Sequence, residues 1–171
     1  LKRRLQEESF KRRTISFYRY VIFENPQVIR DTLYKQWSEF NCFGRIYIAR
    51  EGINAQMSVP EHHFESFLKT LDKYEIFQSI PIKYAVEDDG KSFYKLTIKV
   101  RPKLVADGLD DGAFDVTNVG RHLSGIEFHE QMSEPGTVVV DMRNLYESEI
   151  GRFENAICPE SDTFREEMEI V

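Results

Sequence analysis

Acidic, basic and glycine residues follow a short apolar run in the last third of the chain. Residues 138–140 are three valines, Asp141, Arg143 and Glu147 come directly after them, and Gly151 lies four residues further on. Three consecutive β-branched residues are typical of a strand inside a parallel sheet. The carboxyl end of such a strand is where α/β sheets place their sites. The spacing of Arg143 from Asp141 and Glu147 also indicates a local ion pair.

Other side chains that could bind a metal or attack a substrate lack the neighbours that such chemistry needs. His62 and His63 have no Glu or Cys at ligand spacing, and Cys42 ends an apolar stretch typical of a core. Cys158 lies in an acidic neighbourhood, which does not favour a reactive thiol. No glycine-rich phosphate loop is present. We therefore predict no metal site, no cofactor and no catalytic residue within these 171 residues.

A row of basic side chains is predicted on the strand at residues 93–101. Side chains alternate along a strand, so Lys95, Lys99 and Arg101 share one face and the apolar residues between them share the other. Such a row is a candidate track for RNA phosphates. The alternative is a solvated face whose lysines protect an edge strand.

Arg45 and Tyr47 share a face of an earlier predicted strand, residues 43–50. An aromatic side chain beside a cation is a candidate for stacking on an unpaired RNA base. A position for Tyr47 in the hydrophobic core is the alternative.

Alternating and helical patterns indicate the elements that position these residues. We expect strands at residues 14–22, 43–50, 53–59, 80–86 and 93–101, a turn at residues 88–90 and a helix that begins at Asn25 and Pro26. A second helix is expected to begin at a capping box of Ser58 and Glu61. The order β-α-β-β-α-β with an extra strand predicts an α+β ferredoxin-like, acylphosphatase-like domain. Right-handed crossovers would leave both helices on one face of the sheet and the other face open to solvent or a partner.

Four segments are expected along the chain. Residues 1–13 form a basic arm, residues 14–101 the ferredoxin-like domain, residues 102–118 a linker, and residues 119–171 the first part of a second, α/β domain. The arm contains six basic residues: Lys2, Arg3, Arg4, Lys11, Arg12 and Arg13. The second domain is predicted to contain a helix at residues 123–132, a strand at residues 137–141 and a helix capped by Ser161.

Charge is distributed unevenly between the two halves of the chain. Residues 1–104 carry a net charge of +6 and residues 105–171 a net charge of −12, for a total of −6. A cationic half favours contact with a polyanion. No apolar run reaches the roughly 18 to 20 residues of a membrane span, and two distant cysteines form no disulfide framework. The composition therefore favours a cytoplasmic protein that does not interact with membranes.

Several ordered motifs resemble known families. Asp141, Arg143, Glu147, Gly151 and a small residue after them match the early half of a rhodanese domain, in which these residues mainly brace the structure; Arg152 stands where rhodaneses usually have histidine. Longer stretches resemble a rhodanese-containing family of bacterial tRNA uridine hydroxylases. These stretches are residues 44–56, 88–93, 99–101, 105–108, 118–120 and 162–166.

The resemblance implies a function. In that family a ferredoxin-like domain precedes a rhodanese domain, and the activity is oxygen-dependent 5-hydroxylation of the wobble uridine of certain tRNAs. It implies tRNA, through its anticodon region, and molecular oxygen as partners. It also implies that the essential cysteine lies beyond Val171, so the 171 residues would be inactive on their own.

Two other functions stay open at this point. A rhodanese loop ordinarily carries a persulfide, so a sulfurtransferase is one alternative, and a non-catalytic module that binds RNA or protein is the other. Acylphosphatase activity is not predicted, because residues 24–26 replace the expected phosphate-cradling loop after the first strand.

Overall fold

The computed structural model describes residues 2–86, 90–105, 115, 117–161 and 163–171. The chain divides into two compact units, Leu1–Leu104 and Val105–Val171. The first unit contains helices α1 (Lys2–Gln6), α2 (Pro26–Glu39) and α3 (Phe64–Asp72), and strands β1 (Arg12–Tyr20), β2 (Phe43–Ala49), β3 (Gly52–Pro60), β4 (Lys83–Tyr84) and β5 (Leu96–Val100). The second contains helices α4 (Gly125–Met132), α5 (Leu145–Ile150) and α6 (Phe164–Ile170). Within the described residues, no helix is both long enough and apolar enough to cross a membrane.

The five strands form one sheet in the order β4-β1-β3-β2-β5. Strand β3 is antiparallel to β1 and to β2, β4 is antiparallel to β1, and β5 is parallel to β2. Strands β1 and β2 are therefore parallel to each other and are joined by α2. The first four strands have the order β4-β1-β3-β2 of a split β-α-β plan, and β5 extends its β2 edge. The predicted α+β architecture of this unit is confirmed.

Helices α2 and α3 pack on the same face of this sheet. The side chain of Asn25 accepts a hydrogen bond from the backbone N–H of Val28 at 3.2 Å, and Pro26 occupies the first turn, so α2 begins as predicted. Trp37 of α2 is fully buried, and its ring contacts Phe17 of β1 and Phe67 of α3. The other sheet face carries neither helix, and we call it the open face.

Two predicted strands are shorter in the structure, and one begins earlier. The strand expected at residues 80–86 is β4, only two residues long, and that at residues 93–101 is β5, Leu96–Val100. Strand β1 begins at Arg12, so part of the expected basic arm lies in the sheet. The expected turn at residues 88–90 lies mostly outside the described residues.

The predicted capping box at Ser58 is wrong. Ser58 lies in β3, which continues to Pro60, and its hydroxyl is fully buried. A 3₁₀ turn, Glu61–His63, follows, and α3 begins only at Phe64 with no side-chain cap. The β3–β1 ladder pairs Ser58 with Thr14, so sheet pairing overrides the local capping pattern.

The second unit differs from expectation at two places. The strand expected at residues 137–141 is a single parallel bridge between Val140 and Ile157, and Val138 is 67% exposed. A three-valine run needs partner strands on both sides to be buried, and among the described residues it has a bridge on one. Helix α6 is capped by Thr163, two residues after the expected Ser161. Much of the expected linker lies outside the described residues.

Candidate nucleic-acid interface

The open face brings together predicted cations from two strands. Strand β5 pairs with β2 in a register that places Lys99 opposite Tyr47 and Thr97 opposite Arg45. Arg45 and Lys99 are exposed, and neither makes an ion pair within the described residues. Residues opposite each other in a sheet point to the same side, so these side chains form one continuous cationic area.

Tyr47 lies on the open face rather than in the core. Its neighbours Ile46 and Ile48 are fully buried in the core cluster, and alternation turns Tyr47 to the other side, where it is half-buried. The guanidinium of Arg101 lies 4.2 Å from the Tyr47 ring centroid, a cation–π contact. A base that stacks here would meet the Arg101 plane or displace it from the ring.

Lys95 and Arg101 flank β5. The backbone carbonyl of Lys95 accepts a hydrogen bond from the N–H of Gly44 at 2.9 Å, and the N–H of Arg101 donates to the carbonyl of Ile48 at 2.8 Å. The β2–β5 hydrogen-bond ladder therefore extends through both residues. The side chains of Lys95 and Arg101 are exposed.

No carboxylate neutralises this area from within the sheet. None of the five strands contains an Asp or Glu residue. Glu51, in the turn after β2, accepts a hydrogen bond from the backbone N–H of Leu104 at 2.6 Å, so its side chain is engaged by backbone. The open face thus presents cations, aromatic rings and neutral hydrogen-bonding groups, which is the composition that single-stranded RNA sites use.

Two cations of the expected basic arm form ion pairs in the structure. Arg12 is buried, forms a bidentate pair with Glu8 at 2.7 and 2.8 Å and lies 4.0 Å from the Phe43 ring centroid. Arg13 pairs with Glu61 at 2.9 Å. A buried, paired guanidinium is unavailable to phosphates, so Arg12 contributes to structure rather than to an RNA contact, whereas the Arg13–Glu61 pair is exposed to solvent.

Sequence analysis missed four further polar residues of the open face. Tyr18 of β1 pairs with Asn54 of β3. On the other side of β3, Asn54 pairs with Tyr47 and Gln56 with Arg45. Lys83 of β4 lies opposite Ser16. The alternation of β1 and β3 is visible in the sequence and places Tyr18, Asn54 and Gln56 on one side. The position of Lys83 depends on a two-residue pairing that no local pattern indicates.

In the second unit, Arg143 pairs with Asp141, one of the two partners that the spacing allowed. Its Nε donates to Oδ1 at 2.9 Å and its Nη2 to Oδ2 at 2.6 Å, and Nη2 also donates to the carbonyl of Gly151 at 2.7 Å. These hydrogen bonds to Arg143 hold the pKa of Asp141 below its usual range, and Asp141 is largely buried. The guanidinium therefore links Asp141, at the end of the valine run, to Gly151, which follows α5.

Glu147 does not form the alternative pair with Arg143. Its carboxylate accepts a hydrogen bond from the amide of Asn144 at 2.9 Å, within the first turn of α5. Gly151 has an extended backbone, and a methyl group added there would meet no atom within 4 Å among the described residues. The structural role expected for these four motif residues stays a prediction.

The two cysteines differ in burial, since Cys42 is buried and Cys158 is partly exposed. Cys42 is buried in the core cluster, and burial raises the pKa of its thiol to about 12. The Cys158 sulfur lies 3.7 Å from the carbonyl of Ala156. Within the described part of the chain, no group of three His, Cys, Asp or Glu residues could hold a metal ion.

Comparison with known proteins identifies relatives along the whole chain. The chain is 60% identical over all of its 171 residues to a protein named tRNA uridine(34) hydroxylase from Leptospira interrogans, of which it covers 47%. It is 47% and 46% identical over 169 residues to proteins of the same name from Yersinia enterocolitica and Salmonella arizonae, of which it covers 48% each. The chain thus spans about half the length of these relatives.

A family match covers the first unit. Residues 12–104 match the family described as UPF0176 acylphosphatase like domain, and the match begins at the first residue of β1 and ends at the last residue of the first unit. The relatives also confirm the resemblance to tRNA uridine hydroxylases that the motifs indicated. Because more than half of its residues match, this chain belongs to the UPF0176 family.

Proposed function

We propose that the full-length protein hydroxylates the wobble uridine of tRNA at carbon 5, with molecular oxygen as the oxidant. The observation that carries this proposal is that the chain is 60% identical, over all 171 residues, to a protein named tRNA uridine(34) hydroxylase. A tRNA substrate would also place the protein in the cytoplasm.

The open face is our proposed site for tRNA, through its anticodon region. Arg45, Lys95, Lys99 and Arg101 supply positive charge without a strand carboxylate to oppose it, which favours contact with phosphates. Tyr47 supplies an aromatic ring next to Arg101. Cations with an adjacent ring suit single-stranded loops, whose bases are unstacked, better than a regular duplex.

We propose that the second unit is the first part of a rhodanese-like domain and that its motif residues brace it. The bidentate Asp141–Arg143 pair and the bond from Arg143 to Gly151 support a bracing role. Following the resemblance, the catalytic cysteine lies beyond Val171. Limited proteolysis is expected to cut first between residues 102 and 118 and to leave a core that contains residues 14–101.

Nucleoside analysis of tRNA tests the proposed activity. Bulk tRNA from cells that lack the gene is expected to lose 5-hydroxyuridine and the nucleosides derived from it, and growth under isotopically labelled oxygen is expected to label the hydroxyl group in wild-type cells. Unchanged hydroxylation in the deletion strain would refute the proposal. Loss of wobble sulfur with intact hydroxylation would instead favour a sulfurtransferase.

Complementation tests the role of the open face. The full-length gene carrying Arg45→Glu and Lys99→Glu is expected to restore little hydroxylation. A control gene with Lys35→Glu and Lys69→Glu has the same change in net charge, on exposed residues of α2 and α3 on the other side of the sheet. Equal restoration by both genes would exclude the open face as the tRNA site.

A further inference from the structure

A cavity of about 250 Å³ lies beside the cationic area of the sheet. Thr14 and Ser16 of β1 and Gln56 of β3 line it together with Ser92 and Phe93. The register pairs Ser16 with Gln56, so both side chains project from the open face. The cavity therefore opens on the face that we propose for tRNA.

The described residues that line the cavity are neutral, and two of them have polar atoms that make no hydrogen bond with a described residue. No Asp, Glu, Lys or Arg residue is among the described residues of its lining. The hydroxyl oxygen of Thr14 is buried and has no hydrogen-bond partner in the described part of the chain. The amide of Gln56 is exposed and likewise makes no bond with a described residue. The Gln56 amide is therefore the group that a ligand in the cavity can reach, whereas the Thr14 oxygen is closed off from solvent.

Cations stand on both sides of this neutral cavity. In the row of register partners that crosses the sheet, Lys83 is followed by Ser16, Gln56 and Arg45. Neighbouring strands are about 4.8 Å apart, so Lys83 and Arg45 lie roughly 15 Å from each other across the row. That arrangement places positive charge where a nucleotide chain passing over the cavity would carry its phosphates.

We propose that this cavity binds one unstacked nucleobase of the RNA that lies on the open face. The inference rests on the proposed function. A base is planar and uncharged, and its edge offers the donors and acceptors that an amide and hydroxyls can pair with. Phe93 adds an aromatic surface for stacking.

Other small ligands fit these groups less well. A phosphate or carboxylate would find no cation among the described residues that line the cavity. An apolar ligand would displace water from the Gln56 amide without giving it a hydrogen-bond partner, which is unfavourable. The volume is also below the roughly 300 Å³ at which drug-sized sites begin, as expected for a single ring.

The test combines base removal with removal of cavity groups. Binding of the full-length protein is measured for an anticodon stem–loop RNA and for a series in which one loop nucleotide at a time is abasic. For the wild type, we expect one abasic position to weaken binding by about tenfold, the size of a single stacked base. With Gln56→Ala or Phe93→Leu, removal of that same base is expected to change binding by less than about threefold.

A matched variant and a charge variant make the outcome decisive. Asn54→Ala removes an open-face amide that does not line the cavity, so the full abasic effect is expected to persist. The inference is overturned if, at every loop position, removal of the base weakens RNA binding equally for Gln56→Ala and the wild type while Lys99→Gln still weakens binding. If the stem–loop fails to bind, or binds with no response to Lys99→Gln, the RNA role of this face is refuted and the inference with it.

Discussion

Removing charge from the open face should reduce the salt dependence of RNA binding by a calculable amount. Four exposed cations, Arg45, Lys95, Lys99 and Arg101, belong to this area. For single-stranded nucleic acid, each phosphate that a protein neutralises contributes about −0.7 to the slope of log K against log salt concentration. If all four cations contact phosphates, the slope is about −2.8. The double variant Arg45→Gln, Lys99→Gln is then expected to have a slope of about −1.4.

These slopes give separable affinities over an accessible range of salt. Between about 50 and 200 mM salt, the wild-type protein should lose about 50-fold in affinity and the double variant about sevenfold. Fluorescence anisotropy with a labelled stem–loop RNA measures both. The control is the variant Lys35→Gln, Lys69→Gln, which has the same net charge but loses exposed cations of α2 and α3. Equal slopes for the two variants would refute the assignment of the phosphate contacts to the open face.

Three further predictions concern the stability and reactivity of the chain. Arg12→Ala should lower the free energy of unfolding by about 3 kcal/mol, because it leaves a carboxylate without its buried partner; chemical denaturation measures this, and an unchanged midpoint would contradict it. A thiol reagent should modify Cys158 well before Cys42, whose pKa is raised by burial to about 12; equal rates in mass spectrometry would show that the core opens readily. Arg143→Ala should lower the melting temperature at neutral pH. Because the folded-state pKa of Asp141 is depressed, the contribution of this pair is complete above the ordinary carboxyl range and is lost as the pH falls below about 4 through that pKa. The difference between wild type and variant should therefore shrink on acidification, and a constant difference would assign the effect to packing alone.

Local patterns were sufficient for several elements of the first unit. The start of α2 depends on Asn25 and Pro26, which act on the backbone within one turn, so the sequence pattern predicts it directly. The side of β5 on which Lys99 lies follows from alternation alone. The pairing of Tyr47 with Lys99 does not follow from alternation, because the β2–β5 register depends on residues about fifty positions apart.

Arg12 shows what local sequence patterns leave undetermined in the basic arm. Its carboxylate partner, Glu8, is close in sequence, but its burial comes from Phe43 and from the carbonyl of Asn41, about thirty positions away. A run of cations is usually solvated, and no local pattern distinguishes a member that packs beneath an aromatic ring. Ser58 shows the same limitation, since its capping pattern is local and its burial is not.

The length of the turn between β2 and β3 determines which side chains lie on each face of the sheet. Ala49 pairs with Gly52 across a two-residue turn. Gly52 has a φ of +144°, and a methyl group added to it would lie only 2.0 Å from the carbonyl oxygen of Arg19. This tight connection fixes the pairing frame of the hairpin. A shift by one residue would move Arg45 and Tyr47 into the core and bring Ile46 and its apolar neighbours to the surface. Homologues that lengthened or shortened this turn would lose the core and the cationic face in one step. Substitutions on the open face can therefore change its charge without disturbing the core, whereas a change in the length of the hairpin disturbs both faces at once.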